Sequence, residues 1–338
     1  MKDFFRVEDY FKFFTRLFVV LSAAFFVSWA SYVFYINSKP EIVDINDIIK
    51  SEGVENYDTV VGDATVSALI YSVDTMLHKR GGYTANDLAV KIGLFDDMPS
   101  FERGVIAQAR ELAYALRDQF SKSNSSDLTN EYVKMIQPLL NFHDDAWNPL
   151  ASSEGSYGEA VELSRFYLKG ISNPEDQKSM FFTRAVSLEE YFKKVSQRLG
   201  DLSQLLSGSR GDLRENTDLA NDPTAQVSSN KGRFVYAHTE WSEIDNVFWR
   251  ARGETWALLH YLKAIEIDFA KTLDDKNALP SLKQIIRELE KTQEPVYSPV
   301  ILNGSGFGLV SNYSLTMANY ISRAKSSIQD LQALLNNG

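Results

Sequence analysis

Two kinds of hydrophobic pattern run along the chain. The first is an unbroken block. Leu17–Ile36 reads LFVVLSAAFFVSWASYVFYI and carries no charge in twenty residues. At an α-helical rise of about 1.5 Å it spans roughly 30 Å, the thickness of a bilayer's hydrocarbon core. A helix satisfies its own backbone in lipid, so the block predicts a transmembrane helix over residues 17–36. It is longer than the roughly 7–15 apolar residues of a signal peptide, and it ends on Tyr32, Phe34, Tyr35 and Ile36 instead of small residues. Upstream, Phe4, Val7, Phe11 and Phe14 recur at helical spacing, with Arg6, Asp9, Lys12 and Arg16 off that stripe. Residues 1–16 therefore read either as a cytoplasmic amphipathic segment on the inner membrane surface or as an early start of the membrane helix.

The second pattern is a helical period broken by polar loops. Val66, Ile70, Val73 and Leu77 predict a helix over 63–79, started by Asp63 and stopped by Gly81-Gly82. Val105, Ala109, Leu112, Leu116 and Phe120 predict another over 101–120. Further helices are expected over 128–141, 157–170, 183–206, 241–273 with a bend near Gly253, 280–293 and 312–335. No run alternates at period two. Residues 295–310 (PVYSPVILNGSGFGLV) are the one stretch of strand-like composition. The class is all-α: a single N-terminal transmembrane helix, then a multi-helix bundle ectodomain with one long polar loop. The expected divisions are 1–16, the transmembrane 17–36, a tether over 37–62, a first bundle part over 63–206, the polar loop 207–240 and a second bundle part over 241–338.

Charge sets orientation. Lys2, Arg6, Lys12 and Arg16 precede the apolar block, while Lys39 stands alone beyond it until Lys50. By the positive-inside rule the N-terminus is cytoplasmic and the C-terminal domain lies outside the cytoplasm. Five of the 35 basic and three of the 45 acidic residues fall in 1–40, which leaves the remainder a net charge of −12. That balance argues against nucleic acid as a partner. The chain has no cysteine, so thiol nucleophiles, disulfides and Cys-type metal sites are excluded.

Five blocks carry a resemblance: RGGYTANDLA (Arg80–Ala89), DDMPSFERGV (Asp96–Val105), EIDNVFWRARGETWALLHYLKAIEIDFA (Glu243–Ala270), SLKQIIRELEKTQ (Ser281–Gln293) and ILNGSGFGLVSNYSLTMANYISRA (Ile301–Ala324). With these blocks the chain resembles the domain-of-unknown-function family 2333 over nearly the whole ectodomain. The resemblance implies a bacterial, mainly proteobacterial, protein with one N-terminal anchor. It supplies no reaction, substrate or catalytic residue.

Candidate chemistry is sparse. Gly304, Gly306 and Gly308 are followed by Leu309 and Val310, so they read as a tight turn and not as a phosphate loop. His78, His143, His238 and His260 form no metal-ligand spacing, and His143-Asp144-Asp145 is the best of a poor set. Glu154, in SSEGSYG, faintly resembles the Glu-Ser element of lytic transglycosylases, but Gly155 follows it and the Gly-Leu-Met-Gln element is absent. No GxSxG elbow occurs. Nothing implies a cofactor or a metal.

Two stripes stand out. Arg103, Arg110 and Arg117 repeat every seven residues on one helix, with Tyr114 beside them. They are candidates for an anion or acidic-partner site, against salt bridging within the protein. Trp249, Arg252, Trp256 and His260 are spaced 3, 4 and 4. They are candidates for stacking on sugar or gripping a partner, against burial on both sides of the helix. The expected role is a non-enzymatic interaction or scaffold module of the bacterial inner membrane. Its domain would be periplasmic, with an unknown envelope protein, lipid or glycan as partner. A cell-wall polymer hydrolase or lyase and a lipid- or glycan-binding accessory subunit are the alternatives.

Overall fold

The chain begins with a 35-residue helix, α1 (Lys2–Ile36). This is a computed structural model, and it describes residues 2–53, 60–91, 95–122, 130–148, 151–173, 175–176, 178–215, 234–298, 300–305 and 308–336. Residues 2–16 continue the apolar helix without a break. Tyr10–Val33 is long and apolar enough to cross a membrane. It exposes large side chains such as Phe11, Phe18, Phe25 and Val27, an uncovered apolar surface that water does not favour.

The domain that follows is helical. Its elements are α2 (Ile45–Ser51), α3 (Asp63–His78), the single turn α4 (Leu88–Lys91), α5 (Asp97–Ala115), α6 (Glu131–Leu140), α7 (Ser153–Ile171), α8 (Ala185–Ser207), α9 (Ile244–Asp268), α10 (Ala270–Asp275), α11 (Leu279–Lys291) and α12 (Tyr313–Asn336). The longer ones fall where the period places them. α9 lies at the centre, against α5, α3 and α11, while α8 pairs with α12 and α6 with α7. One buried cluster runs from Ile45 on α2 to Leu335 on α12.

Five local readings are refined. Within the 37–62 stretch, expected as a tether with a little local structure, Ile45, Ile48 and Ile49 of α2 are buried in the core and Asp44 caps that helix by accepting from the Asn46 amide. At Gly253, where a bend is expected, α9 continues as unbroken helix; it ends at Phe269, which is buried against Phe120 and Phe181. Gly253 instead serves a close crossing: a methyl there would strike the Phe101 carbonyl oxygen, and one on Gly104 would strike that of Arg250. The helix over 101–120 starts at Asp97 and finishes in one π-turn, Leu116–Phe120, closed by the Ser121 amide on the Leu116 carbonyl at 2.9 Å. The polar loop contains a short antiparallel hairpin, β1 (Asp212–Glu215) with β2 (Phe234–Ala237). The strand-like 295–310 stretch contributes, among the described residues, a single bridge between Asn303 and Asn312.

Candidate functional site

The aromatic stripe of α9 is the seat of the segment that leaves the membrane helix. Ile36 is 1% exposed and abuts Gly81 in the α3–α4 loop. Three alternate residues then meet the stripe in order. The Lys39 ammonium lies 2.9 Å from the centre of the Trp249 ring. The Trp256 indole N–H donates to the Glu41 carbonyl at 3.3 Å. The Val43 N–H donates to His260 Nε2 at 3.3 Å. His260 Nδ1 is 2.8 Å from the Trp256 carbonyl, which makes Nδ1 the protonated nitrogen and leaves Nε2 free to accept. Tyr71 of α3 covers both rings, 5.9 Å from Trp256 and 5.3 Å from His260. Burial pushes the His260 pKa down to about 4; the bond to the Trp256 carbonyl opposes the shift and Lys263 adds to it.

Arg252 faces another segment of the same chain. It donates to the Gln293 and Glu294 carbonyls, each at 2.7 Å, and so closes the C-terminal end of α11. Burial lowers its pKa to about 10. The expected partner-gripping stripe is therefore occupied from within: Trp249 and Trp256 hold the connector, and Arg252 holds the α11 terminus. The hydrophobic pattern of α9 shows a stripe but not what covers it.

Beside this seat a cavity of about 840 Å³ opens between the end of α1 and the domain. Trp29, Val33 and Tyr35 of α1 form one wall, and Tyr297, Val300 and Ile301 form the opposite one. Its polar groups carry both signs, with Lys39 and Arg80 against Asp97 and Asp245. Single ligand oxygens of Asp96, Asp97 and Asp245 lie within 4.8 Å of one another. Burial raises the Asp97 pKa, Lys39 opposes the shift, and Asp245 and Asp96 add to it. The Lys39 pKa is lowered by the same burial, against the pull of Asp97. Among the described residues these three carboxylates make no ion pair within 4.0 Å, and neither does Arg80, which lies over the Tyr35 ring at 5.4 Å. Three carboxylates this close have the oxygen chemistry of a hard-cation site, although the ammonium of Lys39 already acts on one of them.

Arg80 is positioned by a buried ion pair next to it. Lys79 Nζ lies 2.6 Å from Glu102, which also accepts from the Thr84 and Ala85 amides and the Thr84 hydroxyl. This fastens the Gly81-Gly82 loop to α5. Of the cavity's charged groups, none was singled out in the sequence. The Asp96-Asp97 doublet and the solitary Lys39 were the available signals.

The arginine row has a different outcome. Arg110 donates to the Leu140 carbonyl at 2.5 Å and the Phe142 carbonyl at 3.0 Å, and so closes the end of α6. Arg117 pairs with Asp118 at 2.7 Å and reaches Gln137. Arg103 donates to the Ala85 carbonyl and lies 3.8 Å from Asp144. The geometry thus gives each arginine a partner within the protein. Arg110 also borders a hollow of about 210 Å³ with Glu111, Arg198 and Arg250. Two of those arginines are answered by the buried Glu254, Arg198 at 2.6 Å and Arg250 at 3.4 Å.

The remaining candidates lie away from the cavity at the end of α1. Glu154 accepts from Asn86 Nδ2 at 2.7 Å in the first turn of α7. Asp87 is close enough for Glu154 to add to the rise that burial causes in its pKa. Neither lines the two cavities described above. His143 is exposed, and the acidic group that comes together among the described residues does not include it. Gly304 sits in the turn closed by the Ser311 carbonyl and Asn312 Nδ2. Gly306 lies outside the described residues.

A family described as "uncharacterized protein conserved in bacteria" (DUF2333) matches residues 9–338. No curated protein and no solved structure matches the chain.

Proposed function

The chain belongs to this bacterial family, and on that footing we propose that it is a non-enzymatic interaction or scaffold module of the inner membrane. In this reading α1 is retained as a single-pass anchor with its N-terminus in the cytoplasm, and the helical domain stands in the periplasm against the outer leaflet. The observation that carries it is the seat of Lys39, Glu41 and Val43 on α9. A domain fixed to the first residues after its anchor presents one constant face along the membrane, which suits recognition more than reach. The length of the apolar span supports retention over cleavage, and the excess of Lys and Arg before it supports the orientation.

Hydrolysis of a cell-wall polymer would place Glu154 and a second carboxylate across a substrate cleft. Asp87 supplies proximity, but Glu154 is held in the first turn of α7 by the bond from Asn86 and lines neither cavity described above. The test is a pair of reporters with native electrophoresis of membranes. Alkaline phosphatase should be active on the C-terminus only and a fluorescent protein on the N-terminus only, with the chain migrating in a discrete assembly larger than its 38.3 kDa. A chain released from the membrane, a reversed pattern or migration as a lone monomer would contradict it.

A further inference from the structure

We propose that the cavity at the end of α1 binds the headgroup of a zwitterionic aminophospholipid from the leaflet on the domain's side. The inference rests on the reading of α1 as a retained anchor. Position comes first. One wall is Trp29 and Val33 of the membrane helix itself, so the mouth lies where hydrocarbon gives way to water. The facing wall offers Tyr297, 91% exposed, and Val300, 63% exposed, apolar groups turned outward beside the anchor. A volume of about 840 Å³ lies within the range of small-ligand sites.

Charge then selects the headgroup. Arg80 has no ion-pair partner among the described residues and stands over Tyr35, placed for a phosphate. Asp97 and Asp245 line the same cavity, and with Asp96 close by them they outnumber the one ammonium of Lys39. A ligand that carries both a phosphate and an ammonium answers both signs. An anionic lipid would answer Arg80 and leave the carboxylates facing more negative charge. A choline headgroup has no N–H to donate to them. Trp249, the ring in contact with Asp97, is already covered by Lys39 and so does not offer its face to a quaternary ammonium beside the carboxylates. A primary ammonium is what remains.

The experiment uses the full chain, delipidated in non-ionic detergent and titrated with dihexanoyl phosphatidylethanolamine, phosphatidylcholine and phosphatidylglycerol, with bound lipid counted by native mass spectrometry. One phosphatidylethanolamine should be retained, at least about tenfold more tightly than either other lipid, as expected for a charge-assisted hydrogen bond. Asp97→Asn with Asp245→Asn should erase that preference. Arg80→Gln should weaken all three lipids. Arg80 is exposed and unpaired among the described residues, so its variant keeps the test valid if the double variant unfolds. Equal retention of the three lipids by the native chain, or unchanged retention in a folded variant, would overturn the proposal. So would equally tight binding of glycerophosphoethanolamine, which lacks acyl chains. If selectivity fails while the reporters keep their pattern, the lipid site falls and the anchored module stands. A reversed reporter pattern removes both.

Discussion

His260 shows how a single buried ring couples the connector to pH. Its Nε2 accepts the Val43 amide only while neutral, and its pKa is lowered from 6.5 to about 4. The folded chain thus binds this proton more weakly than the unfolded one. Its contribution is complete above pH 6.5 and is lost as pH falls through 4. Asp63 works in the opposite sense. Burial first, and then the buried Asp268, raise its pKa from 3.8 to about 7, so its ionisation costs stability above 7 and the cost is gone near 4. Each effect is worth at most about 3–4 kcal/mol. Urea unfolding at several pH values should therefore find His260→Gln less sensitive to acid than the native chain between pH 6.5 and 4. Asp63→Asn should be more stable than the native chain at pH 8 and equal to it near pH 4. Parallel profiles for all three proteins would contradict both assignments. At this scale the stripe that contains His260 was legible from spacing, but its partners were not. Lys39, Glu41 and Val43 alternate as an extended segment would, yet nothing local marks which surface they meet.

Helix positions were legible because the period survives in every long element. What a special residue does within a helix was less so. Gly253 lies in mid-helix, where a glycine fits either a bend or a close crossing. The choice depends on Phe101, which is distant in sequence. α2 was missed as a helix although Asp44 with Ile45, Ile48 and Ile49 is a cap followed by an apolar stripe, because seven residues give too short a period to stand out. The arginine row was legible as a row and ambiguous as a function. Its geometry now ranks the three. Arg110→Ala leaves the Leu140 carbonyl without its side-chain donor and the Phe142 carbonyl with the Tyr157 hydroxyl alone, and should cost about 1–3 kcal/mol in thermal unfolding. Arg103→Ala breaks a half-exposed contact at 3.8 Å and should cost less than about 1 kcal/mol. Equal and negligible losses would return the row to the status of a free binding surface.

At the scale of the whole molecule, the anchor and the domain are one continuous construction. α1 delivers Ile36 into the folded part, the connector lies along α9, and α2 enters the core within ten residues of the membrane helix. The apolar block announced itself in the sequence, whereas the packing of the residues after it did not, since polar and β-branched residues suit a linker and a docked strand equally. With α1 as the proposed anchor, this arrangement sets the charged cavity at the membrane surface instead of some distance from it. Hydrogen exchange of the full chain in lipid nanodiscs tests that arrangement most directly. The amides of residues 43–51 should be protected together with those of α9. Exchange of that segment at the rate of an unstructured chain, while α3 and α9 stay protected, would contradict a docked domain and restore a tether.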